Sequence, residues 1–137
     1  MKIICVSGYF TILHVGHIRM FKEAKALGDK LVVILNNDKQ LIAKKGRLIM
    51  SAEHRKEILE AIKYIDEVVI SIDEDRSVCK TLEMIKPDVF ANGGDRNFDN
   101  IPEVKTCQEN NIEMVWNIGA GGKVDSSSRL IEESEKN

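Results

Sequence analysis

A chain of 137 residues is long enough for one domain that buries roughly two thirds of its unfolded surface, and its 43% apolar and 31% charged content excludes wholesale disorder. A formal net charge of −2 gives no general attraction for a polyanion, which excludes a role in coating DNA or RNA. Cys5, Cys79 and Cys107 are odd in number and widely spaced, so neither a disulfide framework nor a zinc site is indicated, and buried reduced thiols are expected.

Ile3 to Val6 is a short continuous apolar run that ends at Ser7-Gly8, the pattern of a strand covered on both faces. It is too short for a signal peptide or a membrane span, and a cytoplasmic location is expected. Ile18 to Leu27 places Ile18, Phe21 and Ala24 at helical spacing, with Gly28 as a stop. Leu31 to Leu35 is a second buried strand, closed by Asn36-Asn37-Asp38.

Ser51 begins a second helix running to Tyr64, in which Ser51 caps and His54 stands where Glu would complete a capping box. Val68 to Ile70 is a third strand, Val78 to Ile85 a helix, and Val89 to Ala91 a fourth strand leading into Asn92-Gly93-Gly94-Asp95. Pro102 to Glu109 is a helix, Glu113 to Ile118 a fifth strand, Gly119 to Gly122 a loop, and Ser126 to Glu133 a last helix. The alternation predicts an α/β fold: a doubly wound, five-stranded parallel sheet with helices on both faces, in one domain over residues 1–132, with 133–137 a polar tail.

Such sheets bind ligands beyond the carboxyl ends of their strands. The polar loops after strands one, two, four and five are therefore expected to converge on one cleft. In the first, Gly8 permits close backbone approach, and His14 and His17 flank Gly16 as a helix begins. Helix N-termini attract phosphate, and imidazoles there can donate hydrogen bonds to a transferring phosphoryl group. The bland alternative makes these histidines capping or core residues. A metal site is not expected, because His54 is the sole further histidine and no carboxylate motif lies near.

The run Gly8-Tyr9-Phe10-Thr11-Ile12-Leu13-His14-Val15-Gly16-His17 closely resembles the signature of the cytidylyltransferase-like nucleotidyltransferases, including glycerol-3-phosphate cytidylyltransferases and the adenylyltransferase domain of heptose-phosphate nucleotide synthases. Ala26-Leu27-Gly28-Asp29, Glu53-His54-Arg55, Tyr64-Ile65-Asp66-Glu67-Val68, Lys86-Pro87-Asp88-Val89 and Gly93-Gly94-Asp95 extend the resemblance across nearly the whole chain. It implies a Rossmann-like α/β fold and transfer of CMP or AMP from CTP or ATP to a glycerol phosphate or sugar phosphate, with release of pyrophosphate. His14, His17 and Lys44 would be catalytic. Gly8, Tyr9, Phe10, Gly16, Asp95 and the serines Ser126, Ser127 and Ser128 would bind the nucleotide. Thr11 and Lys45 would bind substrate, and Arg55 the acceptor or the triphosphate.

The resemblance further implies Mg²⁺ carried with the triphosphate, and a homodimer through Tyr64 to Val68. Departures leave the base open. Thr11 stands where most relatives have Asp, Lys63 replaces an arginine, and Asn92-Gly93-Gly94-Asp95 leans toward the ATP-using relatives. Two other readings compete. A class I aminoacyl-tRNA synthetase fragment shares the His-x-Gly-His pattern but would need more chain and a tRNA-binding surface. A non-catalytic nucleotide sensor of the same fold would explain Thr11, yet both histidines and the lysine pair are retained.

Overall fold

The computed structural model describes residues 1–93, 102–118 and 125–126. Six strands form one sheet: β1 (Ile3–Gly8), β2 (Lys30–Leu35), β3 (Glu67–Ile70), β4 (Val89–Gly93), β5 (Glu113–Ile118) and β6 (Asp125–Ser126). Their order is β3-β2-β1-β4-β5-β6, parallel except for β6, which runs antiparallel to β5. The helices are α1 (Val15–Ala26), α2 (Asp38–Lys45), α3 (Ala52–Glu60), α4 (Cys79–Ile85) and α5 (Glu103–Glu109).

The period-2 side chains of the central strands divide the core. Val6, Val33 and Leu35 pack with Phe21 and Ala24 of α1 and Leu59 of α3 on one face. Cys5, Val32, Ile34 and Phe90 pack with Leu82 of α4, Cys107 of α5 and Trp116 on the other. Each fully buried large apolar side chain contributes ~1.5–3 kcal/mol. Burial pushes the Cys5 and Cys107 thiols up to about 12, so both stay protonated and inert.

The amino ends of the strands are braced by three aspartates. Asp29 accepts the N–H of Lys2 at 2.7 Å, Asp88 that of Ile3 at 2.7 Å, and Asp66 that of Leu31 at 2.8 Å. Each carboxylate satisfies a backbone N–H at or beside the start of a strand. Asp66 also pairs with Lys25, and Glu67 with Lys30 at 2.8 Å. The segments around Asp29, Asp66 and Asp88 that carry much of the family resemblance therefore have a structural role within one chain.

Four expectations about elements need correction. The first helix starts at Val15, a turn before Ile18, because His14 caps it. The second predicted helix ends at Glu60 and gives way to turns before Tyr64. An extra helix, α2, occupies the lysine-bearing segment, capped by Asn37 with Gln40 completing the capping box and Gly46 ending it at φ +82°. Finally, Ser126 is in β6, paired with Val115, so the last helix does not begin there. Residues 127–133, the Gly119 to Gly122 loop and the 133–137 tail lie outside the described residues.

Candidate active site

Between β1 and β4 the strand order reverses: β1 is followed by a crossover to β2 on one side, while β4 lies on its other side. Strand ends diverge at such a point and leave a crevice. A cavity of about 260 Å³ opens there, lined among the described residues by the β1 carboxyl end and its loop, by His17 and Met20 of α1, by Lys44 and Lys45 of α2, and by Ala91, Asn92 and Gly93 of β4. Of the sequence-predicted residues it brings together Gly8, Tyr9, Phe10, Thr11, His17, Lys44 and Lys45. His14 and Gly16 adjoin it at the start of α1. Asp95, Ser127 and Ser128 lie outside the described residues, and Ser126 is placed by its backbone alone.

The two histidines form a reciprocal cap. Nδ1 of His14 accepts the N–H of Gly16 at 3.0 Å, and Nδ1 of His17 accepts the N–H of His14 at 3.2 Å. The rings lie 4.0 Å apart between centroids. A ring nitrogen that accepts a hydrogen bond carries no proton, so each neutral imidazole has its N–H at Nε2. Capping and phosphate binding stand as alternatives in the sequence, but they use different nitrogens of one ring. Gly16 makes this possible, because a Cβ there would stand 2.8 Å from Cε1 of His14.

Gly8 serves the same end by a different route from the one its position suggests. Its missing side chain is replaced by the ring of Phe10, whose Cζ would stand 2.7 Å from a Cβ on Gly8. Phe10 is in the left-handed region at φ +47°, and its ring meets His17 edge-on at 5.4 Å and Phe21 at 5.3 Å. Lys44 holds its ammonium 4.4 Å over the Tyr9 ring, a contact of ~0.5–1 kcal/mol at an exposed site. Both residues of that contact line the cavity, and Lys45 lines it beside them.

Arg55 departs from its expected role of binding the acceptor or the triphosphate. It is 1% exposed and does not line the cavity. Nε donates to Met50 O at 2.9 Å, NH1 to Tyr9 O at 2.9 Å and Asn36 O at 2.8 Å, and NH2 to Asp38 Oδ1 at 3.1 Å. Burial lowers its pKa from the ordinary arginine value, against the pull of the Asp38 hydrogen bond. The Asn36 to Asp38 loop likewise does not join the cavity. Asn37 caps α2 and reaches Ser71 and Asp73 carbonyls, while the buried Gln40 takes hydrogen bonds from Asn36, Asn37 and Ser71 and gives them to Asp75 and Ser77. This polar core, which clasps α2 to the segment before α4, was missed from sequence; the Asn37-x-x-Gln40 capping box was the available signal.

His54 is exposed; Ser51 Oγ accepts its N–H at 3.3 Å, as expected of the cap, without a return bond from the imidazole. Among the described residues no group of three or more His, Cys, Asp or Glu could hold a metal ion, and no helix is long and apolar enough to cross a membrane.

The model of the cytidylyltransferase-like family matches residues 5–132. An FAD synthase of Pyrococcus abyssi is 47% identical over 97 residues, covering 70% of this chain and 65% of that one, so the chain spans less than two thirds of that relative's length. An FAD synthase of Picrophilus torridus is 34% identical over 138 residues, covering 96% of this chain and 97% of the relative. In solved structures, a lipopolysaccharide core biosynthesis protein from Thermoplasma volcanium superposes with a TM-score of 0.73 at 28% identity, covering 86% of this chain and 96% of that one. With a cleft at the switch point, a His-x-Gly-His cap at its edge and the family model matched along residues 5–132, the chain belongs to the cytidylyltransferase-like family of nucleotidyltransferases.

Proposed function

We propose that this protein is an adenylyltransferase that joins AMP from ATP to FMN, forming FAD and releasing pyrophosphate. The observation that carries the reading is the match to an FAD synthase along 97% of that protein's length. FAD is FMN extended by AMP, so a nucleotidyltransferase that makes it has a phosphorylated acceptor, as the sequence implies, but a flavin in place of a glycerol or sugar. Ile12 supports this: an apolar side chain 76% exposed at the rim of the cavity suits a flat ring system better than a polyol.

In this reading a terminal phosphate oxygen of FMN attacks the α-phosphorus of ATP and the pyrophosphate oxygen leaves with the bond electrons. Nε2–H of His17, and that of His14 beside it, donate to oxygens on which charge builds in the transition state. Lys44 and Lys45 bind the phosphates, Lys44 leaving the Tyr9 ring to do so. The N-terminus of α1 adds its dipole. Asp95 and the Ser126 to Ser128 run complete the nucleotide side by family resemblance. In this reading Mg²⁺ enters with the substrate, held by the triphosphate oxygens.

A sugar phosphate acceptor is the second reading, favoured by the structural likeness to the lipopolysaccharide core biosynthesis protein of Thermoplasma volcanium. The test incubates the protein with ATP or CTP and, in turn, FMN, glycerol 3-phosphate and sugar phosphates, measuring pyrophosphate and nucleotide product. FAD formed from ATP and FMN supports the first reading. Turnover of a sugar phosphate with none of FMN replaces it by the second, and nucleotide binding without pyrophosphate release would make the protein a sensor. A homodimer and a cytoplasmic setting, the latter suiting free thiols at Cys5, Cys79 and Cys107, belong to the same proposal.

A further inference from the structure

We infer that Arg55 is a positioning residue for His17, acting through the Tyr9–Phe10 peptide. The inference rests on the reading of His17 as the group that meets the transferring phosphate. Arg55 lies on α3 and does not line the cavity, yet its NH1 joins two carbonyls, Tyr9 O and Asn36 O, that lie just past the carboxyl ends of β1 and β2. Nε and NH2 tie the same planar group to Met50 O and Asp38. The guanidinium is thus held in its own plane from three directions, which a lysine ammonium cannot reproduce.

The Tyr9 carbonyl belongs to the peptide that leads into Phe10. A non-glycine residue at φ +47° persists only where its surroundings hold it. Arg55 fixes the peptide on one side, and the space left by Gly8 seats the ring on the other. The seated ring is the wall against which His17 stands, at 81° and 5.4 Å. Opposite that wall, His17 is bound through Nδ1 to the His14 N–H. The Phe10 support of the His17 ring is thus set by Arg55 from a different helix.

A merely structural arginine would staple α3 to the sheet without affecting His17 in particular. Long-range ¹H–¹⁵N NMR of the imidazoles separates the two cases without any substrate. Wild type, Arg55→Lys and, as a control at the opposite end of the sheet, Asp66→Asn are compared, each with its melting temperature. The expected result is displaced His17 ¹⁵N shifts in Arg55→Lys and unchanged shifts in Asp66→Asn. In turnover assays Arg55→Lys is expected to lower kcat by about tenfold or more, since a misplacement of ~1 Å can cost ~100-fold, with KM for the nucleotide within about threefold.

Should Arg55→Lys not fold, Asp38→Asn loosens the same guanidinium and is read in the same way. Unchanged His17 signals in the folded variant, equal movement in Asp66→Asn, or a kcat that falls only with the folded fraction would overturn the inference. Absence of nucleotidyl transfer in wild type with every acceptor would refute the proposed reaction, while the NMR comparison would still decide whether Arg55 positions His17.

Discussion

Nδ1 of His17 accepts the backbone N–H of His14, and in return the His14 ring folds back over Gly16 to accept the next free N–H of the helix. The first turn of α1 is therefore held by the same two rings that flank the cleft. Removing either ring removes a cap as well as a donor.

This coupling decides which substitution is informative at His17. His17→Ala loses both Nδ1 and Nε2, so stability and turnover fall together. His17→Asn keeps an acceptor near the place of Nδ1 and loses the donor at the place of Nε2. We expect His17→Asn to melt close to wild type and to lose about 100- to 1000-fold in kcat, the cost of one transition-state donor. Calorimetric nucleotide affinity should change little. A folded His17→Asn retaining more than about a tenth of wild-type turnover would remove this histidine from catalysis.

Gly16→Ala tests the cap from the other side. The new Cβ would collide with the His14 ring and drive it off the Gly16 N–H. Loss of a cap costs ~1 kcal/mol, or roughly 4 °C of melting temperature for a domain of this size. Turnover should fall as well, because His14 leaves its place beside His17. An unchanged melting curve would mean that the ring is not needed as a cap.

Asp66 gives a pH signature. Its pKa lies below the ordinary aspartate value, first because Lys25 hydrogen-bonds to it and then because the Leu31 N–H does. A carboxylate depressed in the folded state contributes stability that is present above the unfolded pKa of about 3.9 and is lost as pH falls through the folded value. The melting-temperature gap between wild type and Asp66→Asn should therefore be widest near neutrality and close below about pH 4. The pair is partly exposed, so the gap corresponds to under about 1 kcal/mol. A gap that widens toward acid would contradict the assignment.

Divalent cation dependence is the fourth prediction. The cavity offers Lys44, Lys45 and His17, with His14 beside it, against a triphosphate and a phosphorylated acceptor. That leaves charge for a cation bound to the phosphates. Excess chelator should abolish turnover, and Mg²⁺ should restore it, without a change in the melting curve of the protein alone. Full activity in chelator would sink the prediction, and chelator-induced melting would point to a structural metal instead.

The sheet was legible because buried parallel strands read as continuous apolar runs between polar ends, and the observed strand cores follow those runs closely. Helix α2 was not, because Leu41 and Ile42 are too few for a stripe and its stability comes from Asn37, Gln40 and tertiary hydrogen bonds. His17, Lys44 and Lys45 came together at the cavity because α1 and α2, which carry them, follow the adjacent parallel strands β1 and β2. Arg55 was misread for a physical reason. A charge on a helix following an exposed Glu-His pair has no local mark of burial, and only the fold brings Tyr9, Asn36, Asp38 and Met50 around it.

The aspartate braces at Asp29, Asp66 and Asp88 divide labour between the two rims of the sheet. They fasten the rim remote from the cleft, where no reacting group needs to approach. Loops at the opposite rim can then be remodelled for a new acceptor without loosening the scaffold that carries them. It follows that likeness between two such chains in the braced segments reports a common ancestor and says little about what either consumes. Acceptor preference should be sought instead in the rim residues beside the histidines, of which Ile12 is the first to exchange between proteins that take different phosphates.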